Sequence, residues 1–402
     1  MVLEHFIRQD RQLSDLVPSL EEVWRGYPEG QSQLVLLERD EPRVTHRLER
    51  GSFLAPQEPV APGLPSWLAG TVAEGDRADG SARAADRLDL ARWLSSPENP
   101  LPARSFVNRI WQEYFGTGIV ATSDDLGMQG EPPSHPELLD TLAAEFIAGG
   151  WGVKSLHRRI VLSSTYRQSS AVTADRLERD PNNRLLSRAP RVRLPAETYR
   201  DVVLAAAGML DRRVGGAPVY PPAPEFLFKP PASYGPKSWG PVEGGAGHRR
   251  ALYAFRFRSV PYPVLETFDA PNADVACVRR AVSNTPLQAL VSLNEPVFVK
   301  AARGLAKLAI ASRNDGGDAG VLEQVFLSLI GRAPGEDERA IMSELLGRQR
   351  QRFASDLAAA RAIVGVAGEG EGVTDDAGAA ELAAWTLVCR VVMNLDETVA
   401  KP

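Results

Sequence analysis

Two adjacent aspartates and a histidine occur within one fifteen-residue stretch, ATSDDLGMQGEPPSH. Asp124, Asp125 and His135 carry groups that transfer protons or hold a divalent cation. His135 stands at a predicted helix start, where the neutral imidazole is favoured. Aspartate and serine also populate turns, because their side chains bind their own backbone. Asp125 and His135 are therefore the candidate catalytic residues, and a purely structural turn is the alternative.

Arginine side chains are concentrated in the middle of the chain. Between residues 182 and 303 there are 17 lysines and arginines against 9 aspartates and glutamates, a local charge of +8 in a protein of net charge −5. Guanidinium groups bind carboxylate, sulfate or phosphate at two points, so the segment predicts an anionic partner. The same arginines would equally serve internal ion pairs. The candidate substrate-binding residues are Arg109, Arg191, Arg193, Trp239, Arg279 and Arg280.

Residues 214–247 form a stretch too rich in turn-forming residues for a helix or strand, with 15 glycines and prolines in 34 positions. A loop of this length is usually either functional or disordered. Its aromatic residues argue against disorder, because aromatic rings need something to pack on. We predict an ordered loop that covers a cleft.

Several functional classes lack their motifs. The sequence has no phosphate-binding glycine loop, no G-x-S-x-G elbow and no H-E-x-x-H zinc helix. Its two cysteines, Cys277 and Cys389, are 112 positions apart, which excludes a thiolate zinc cluster and a C-x-x-C-H haem attachment. They form one disulfide or remain two free thiols. We therefore predict neither a metal nor a cofactor. Nucleic-acid binding is also not expected, because the whole chain is acidic.

The composition is that of a soluble globular protein, with 44% hydrophobic and 24% charged residues. No apolar run is long enough to span a bilayer. The first residues are charged and lack the apolar core of a signal peptide. These features predict a cytoplasmic protein if the chain is complete.

The spacing of apolar residues predicts a mainly α-helical assembly with small β elements and long loops. Asn99 with Pro100, Ser134 with Glu137, and Thr285 with Pro286 are expected to begin helices. Alternation predicts a β-hairpin over Gln31–Phe53 and a strand over residues 249–261. Helices are predicted over residues 83–96, 100–116, 137–148, 154–164, 194–210, 321–331, 336–364 and 379–395, and from residue 285 onward.

These elements predict three segments along the chain. Residues 1–81 hold the hairpin and a Pro/Gly-rich linker, residues 82–303 a helical core region with the basic centre and the long loop, and residues 304–402 a C-terminal helical region.

Several long phrases resemble one family, the planctomycete-type cytochrome-associated family, a domain of unknown function numbered 1553. They include GWGVKSLHRRIVLSSTYRQSS, DPNNRLLSRAPRVRLPAETYRD, FDAPNADVACVRRAVSNTPLQALVSLNEP and WTLVCRVVMNLDETVAK. The resemblance covers roughly Arg43 to Lys401. It implies no established reaction. Members of the family are typically exported, often carry a c-type haem domain, and are often encoded near sulfatases in polysaccharide-degrading bacteria.

Two roles follow from the residues and the resemblance together. The first is binding or processing of an anionic polysaccharide that bears sulfate or uronate groups, with the loop aromatics stacking on sugars. The second is a non-catalytic scaffold that docks a separately encoded haem-containing protein or companion domain. This sequence departs from the family layout, since it has neither a haem motif nor a signal peptide. Its location therefore stays open between the cytoplasm and the periplasm.

Overall fold

The computed structural model describes residues 43–63, 86–223, 239–240, 244–257, 260–313, 316–365 and 375–401, with positions 19, 22–23, 35–37, 39 and 227. Within these ranges the protein is mainly α-helical, as predicted, with fourteen α-helices and two small antiparallel sheets of two strands each. None of these helices is long and apolar enough to cross a bilayer. The chain divides into two compact units, Met1–Trp93 and Leu94–Pro402. The three-segment division stays a prediction.

The elements run in the following order. The first part of the chain forms β1 (Thr45–Leu48), β2 (Pro56–Val60), α1 (Arg87–Leu94), α2 (Pro100–Phe115), α3 (Pro136–Ala148), α4 (Val153–Leu162), α5 (Ala174–Arg179), β3 (Val192–Arg193) and α6 (Ala196–Ala206). The second part forms α7 (Pro263–Thr267), α8 (Pro286–Asn294), α9 (Pro296–Ala311), α10 (Gly317–Leu329), α11 (Glu336–Ser355), α12 (Leu357–Val364), α13 (Asp376–Met393), α14 (Asp396–Val399) and β4 (Ala400–Lys401).

The first unit contains a β-hairpin that differs from the predicted one. β1 pairs antiparallel with β2, Thr45 opposite Val60. The predicted pairing of residues 34–37 with residues 44–48 is wrong. Residues 35–37 form no strand, and β1 pairs with β2, which follows it in the sequence. A tight turn after β1, with positive φ at Arg50 and Gly51, folds the next segment back onto it. Prolines are tolerated in β2 because both strands of a two-stranded sheet are edges. Residues 64–81 of the predicted linker lie outside the described residues.

The second unit has two hydrophobic cores. The smaller one lies among α2, α3 and α4 and includes Val107, Trp111 and Leu142. It also holds the chain after α2, because the buried Asn108 side chain accepts from the Val120 amide at 2.8 Å and donates to the Val120 carbonyl at 3.0 Å. This pairing closes a loop whose backbone would otherwise bury unpaired polar groups.

The larger core lies among α6, α7 and the helices from α9 to α13. Its centre is α13, which buries side chains around most of its circumference, among them Leu382, Trp385 and Cys389. A helix that is apolar nearly all round is expected to lie inside the protein. Both cysteines are free thiols. Burial raises the pKa of the Cys389 thiol, so this side chain is an inert part of the core.

Two predicted helix starts are confirmed and one is wrong. The Asn99 side chain accepts from the Leu101 amide at the start of α2, and Thr285 with Gln288 forms a capping box on α8. The predicted Ser134–Glu137 box is absent at α3, where His135 occupies the cap position and makes no side-chain cap bond. Ser134 binds the Ile119 carbonyl instead, through its amide at 2.9 Å and its hydroxyl at 3.3 Å.

Two continuous predictions are interrupted in the structure. The predicted helix over residues 336–364 is two helices, because the Asp356 carboxylate accepts from the Ala359 amide and starts α12 afresh. The predicted strand over residues 249–261 is wrong. Residues Ala251–Tyr253 form a 3-10 turn, and the described residues of this segment make two isolated β-bridges, Arg249 with Asp211 and Ala254 with Val219.

A four-membered ion-pair network ties the larger core together at the surface. Arg350 on α11 donates to Asp318 on α10 at 2.5 Å and to Glu381 on α13 at 2.6 Å, and Arg313 donates to the same two carboxylates. The hydrogen bonds from Arg350 and Arg313 lower the pKa of Glu381 to about 2. Shared side chains reduce the entropy cost of each further pair, so a network stabilises more than isolated surface pairs do.

We expect Glu381→Gln to lower the free energy of unfolding at pH 7 by about 1–3 kcal/mol, the usual value of hydrogen bonds to a charged group. Because the folded pKa is depressed, the stabilisation is complete above the ordinary pKa of 4.5 and is lost as the pH falls through about 2. Urea unfolding of both proteins from pH 7 to pH 2 checks this, and the difference should stay constant down to about pH 4.5 and shrink below it. Glu344→Gln is the matched control, since Glu344 is 70% exposed and lies 3.7 Å from Arg348. An equal loss of unfolding free energy in Glu381→Gln and Glu344→Gln would contradict the stabilising role of the network.

Candidate functional site

The N-terminal half of α6 carries a carboxylate shared by two guanidinium groups. Glu197, in the first turn, accepts from Arg256 at 2.6 Å and from Arg280 at 2.7 Å. Burial alone would raise the pKa of Glu197, but the hydrogen bonds from Arg280 and Arg256 outweigh it, and the pKa is lowered. Two positive charges therefore face one negative charge, and the cluster keeps an excess of positive charge.

A buried amide lies next to this cluster. Gln288 on α8 is 2% exposed and accepts from Arg193 of β3 at 2.6 Å. Its amide nitrogen donates to the Thr267 carbonyl at 3.0 Å. Asp269 accepts from both the amide and the hydroxyl of Ser283 at 2.8 Å. Arg193 thus donates to a neutral amide oxygen, and the Asp269 carboxylate lies beyond that amide, 3.4 Å from the Gln288 nitrogen.

An aromatic cluster adjoins Arg256, between Phe255 and Phe257. Trp239 lies 5.1 Å from the Tyr220 ring, 6.1 Å from Phe257 and 6.3 Å from Tyr262, measured between centroids. The Trp239 indole N–H donates to the Pro221 carbonyl at 2.8 Å. Although the predicted strand is absent, the alternating residues that suggested it still point to different neighbours. Phe255 and Phe257 pack in the aromatic cluster, while Arg256 reaches Glu197.

The candidate catalytic residues are each held locally, and no contact joins them. The Asp125 carboxylate accepts from the Gly127 amide at 2.7 Å, the pattern of an aspartate turn. The His135 Nδ1 lies 3.0 Å from the Ser134 hydroxyl. The described residues contain no group of three histidine, cysteine or acidic side chains placed to hold a metal ion. The catalytic role of Asp125 and His135 stays a prediction.

Of the remaining candidate arginines, one forms an ion pair and two do not. Arg191 donates to Asp396 of α14 at 2.5 Å. Arg109 and Arg279 are exposed, and their side chains make no hydrogen bond or ion pair with the described residues. Arg109 and Arg279 lie on two segments that are connected by a hydrogen bond from the Gln112 side chain. Gln112 is one turn beyond Arg109 on α2, and its amide donates to the carbonyl of Val278, the residue before Arg279, at 3.3 Å.

A comparison with protein families matches residues 86–346 to the family described as PSD1, protein of unknown function DUF1553. The chain belongs to this family. Nothing matched among the curated proteins or the solved structures. The Glu197 cluster and Gln288 lie within the matched residues of this DUF1553 protein, and β4 lies beyond them.

Two buried arginines of this DUF1553 protein fix the ends of the long loop. Arg200, on α6, is fully buried and donates to the carbonyls of Arg249 at 2.9 Å and Gly247 at 3.1 Å. Arg249, 6% exposed, donates in turn to carbonyls at the other end of the loop. Those acceptors are the carbonyls of Ala217, Gly215 and Arg213. Residues 224–226, 228–238 and 241–243 of the predicted loop lie outside the described residues, so its covering of a cleft stays a prediction.

Burial also shifts titratable groups around Arg200. It raises the pKa of Tyr262 to about 12, lowers the pKa of His248 and raises the pKa of Glu295. The described residues donate no hydrogen bond to the Glu295 carboxylate. An ionised carboxylate in this position is therefore destabilising, and such groups recur at functional sites.

Sequence reasoning named Arg193, Arg280 and Trp239 but missed Glu197, Gln288 and Arg256 as site residues. In the sequence, Glu197 is an acid in the first turn of a predicted helix and one of several acids near the central arginines, and nothing marks Gln288. A buried glutamine that meets an arginine 95 positions away leaves no local signal.

The cleft between α3 and α4 is a separate feature of about 110 Å³, lined by Leu142, Phe146 and Leu156 among others, and is smaller than typical ligand pockets.

We expect Arg200→Met to lower the free energy of unfolding by about 2–5 kcal/mol, because two buried carbonyls lose their donor while the side-chain volume is nearly kept. Urea unfolding measures the loss. Arg188→Met is the matched control, since Arg188 also donates to two carbonyls but lies partly exposed at the surface. If Arg200→Met loses no more free energy of unfolding than the control, the hydrogen bonds from Arg200 to the Gly247 and Arg249 carbonyls are not needed for stability.

We expect Glu295→Gln to be more stable than the wild type at pH 7. The folded pKa is raised, so the cost of ionisation is present above the folded pKa and disappears as the pH falls below the ordinary value of 4.5. Thermal unfolding between pH 7 and pH 4 tests this expectation. A variant less stable than the wild type at pH 7 would mean that the ionised carboxylate has a stabilising partner.

Proposed function

We propose that this protein binds an anionic polysaccharide through the Glu197 cluster and the exposed arginine beside it. The observation that carries the proposal is that Arg256 and Arg280 share one carboxylate while Arg193 is held by an amide. Arg279, next in sequence to Arg280, is exposed and unpaired among the described residues. Sulfate and uronate groups are the ligands that such uncompensated guanidinium groups prefer.

The aromatic cluster supports a carbohydrate rather than a simple anion. Phe255 and Phe257, which pack in the aromatic cluster, flank Arg256 in sequence, so the apolar rings and the excess charge stand on one short segment. Aromatic side chains offer large rigid contact areas at little entropy cost. Arg191 and Arg109 belong to the proposal as outlying contacts. A ligand would have to replace Asp396 as the partner of Arg191.

The arrangement favours binding over catalysis. Asp125 and His135, the candidate catalytic pair, are each satisfied by a neighbour and make no contact with the arginines in the described part of the chain. The docking of a haem-containing or companion protein remains the second predicted role. Export to the periplasm and the planctomycete-type genomic setting are further expectations from the family.

The test is thermal unfolding with a sulfated, a uronate-bearing and a neutral glycan at low and moderate salt. A ligand at a hundred times its dissociation constant stabilises the fold by about 2.7 kcal/mol. We expect one anionic class to raise the melting temperature and the neutral glycan to have no effect. Arg279→Ala with Arg280→Ala should weaken binding at least about tenfold, the loss of roughly 1.4 kcal/mol, while Glu197 keeps Arg256 as its partner.

Arg159→Ala is the matched control, because Arg159 is 58% exposed and pairs with Glu145 away from the cluster. Its binding should equal that of the wild type. The proposal fails if no anionic glycan shifts the melting temperature, or if the double variant binds as tightly as the control.

A further inference from the structure

α8 has an inverted distribution of polar and apolar side chains. Its buried face carries Gln288 and Ser292, which are 2% and 1% exposed. Its outer face carries Leu287 and Leu290, which are 58% and 55% exposed. A surface helix ordinarily turns its apolar stripe toward the core. Here the leucines are the side chains left outside.

The inversion is fixed by hydrogen bonds on the inner face. Gln288 binds Arg193 and the Thr267 carbonyl, and the Ser292 hydroxyl accepts from the buried Tyr199 hydroxyl at 3.0 Å. The same Ser292 hydroxyl donates to the Gln288 carbonyl at 3.0 Å. Rotating α8 to bury its leucines would leave these groups unpaired, at a cost for each.

The segment that leads into α8 also leaves apolar side chains exposed. Val275 and Val282 are 76% and 72% exposed, and Val278 is 40% exposed. The segment is nevertheless held at two points: the Val278 carbonyl accepts from Gln112, and the Ser283 amide donates to Asp269. We call these five side chains the 275–290 surface: Val275, Val278, Val282, Leu287 and Leu290. Ordered apolar surface of this kind marks interaction sites.

The charges beside the 275–290 surface indicate the sign of the partner. Arg279 lies between Val278 and Val282 in sequence and makes no ion pair with the described residues. Arg280 shares its carboxylate with Arg256. A second copy of the chain, docked through the same face, would set these arginines against one another.

We propose that the 275–290 surface docks a partner protein whose contact face is apolar and flanked by carboxylates. This goes beyond polysaccharide binding, because the leucines and valines offer nothing to a sulfated sugar. The apolar contacts of the surface do not depend on the outcome for the Glu197 cluster, whereas Arg279 and Arg280 flank both sites.

The test uses two designed amphipathic helical peptides with the same leucine face, one flanked by glutamates and the other by lysines. Fluorescence anisotropy measures their binding to the full chain. We expect the glutamate peptide to bind at least about tenfold more tightly than the lysine peptide, since like charges across an interface are repelled. We expect the double variant Leu287→Gln with Leu290→Gln to bind the glutamate peptide at least about tenfold more weakly, as is usual when central apolar contacts are lost.

Leu177→Gln with Leu327→Gln is the matched control, because these leucines are 49% and 45% exposed on α5 and α10. It should bind the glutamate peptide like the wild type. Both double variants replace exposed side chains, so their melting temperatures should stay close to that of the wild type. The proposal is overturned if neither peptide binds, if both bind equally, or if the control loses as much affinity. Self-association that only the Leu287/Leu290 variant abolishes would assign the surface to a second copy instead.

Discussion

The arrangement of the central region depends on two buried arginines that act as donors for backbone carbonyls. Arg200 holds the carbonyls of Gly247 and Arg249, and the Arg249 side chain holds carbonyls at residues 213–217. The stretch between them is rich in proline, which has no N–H, and in glycine, which favours no regular element. Carbonyls of such a stretch cannot all find backbone donors. Guanidinium groups, with five N–H donors and no acceptor, fill that deficit.

This role explains why the local charge of +8 overstates what a ligand would meet. Arg200 and Arg249 are occupied by the fold, and Arg256 and Arg280 divide Glu197 between them. The alternative recognised from the sequence, that the central arginines serve internal contacts, therefore accounts for many of them. The Glu197 cluster differs because two guanidinium groups share one carboxylate, so one positive charge is not neutralised within the cluster. Successive turns of α6 thus have different tasks: Arg200 points into the fold, while Glu197 organises the outer cluster.

The predictions succeeded where the signal is local and failed where a distant group decides. Asn99 with Pro100, and Thr285 with Pro286, begin helices because the cap residue and the proline are adjacent in sequence. Ser134 carries a similar pattern but is occupied by the Ile119 carbonyl, fifteen residues earlier. The hairpin failed for a related reason, since the turn at Arg50 and Gly51 brought a proline-containing strand onto β1. Trp239 packs against other rings, as expected for a tryptophan in a loop, and its role in binding stays a prediction. Gln288 was missed because its partners lie on β3 and before α8.

The polar interior and the apolar exterior of α8 are two sides of one constraint. Gln288 and Ser292 face inward because Arg193 and Tyr199, on other elements, require partners there. A helix with one face committed to those bonds must present its other face to solvent, and in this sequence that face holds leucines. Leucines that stay more than half exposed contribute less to folding than buried leucines do. Natural sequences depart from local patterning mainly where function requires it. The inversion of α8 is therefore better explained by a partner than by the stability of this chain alone.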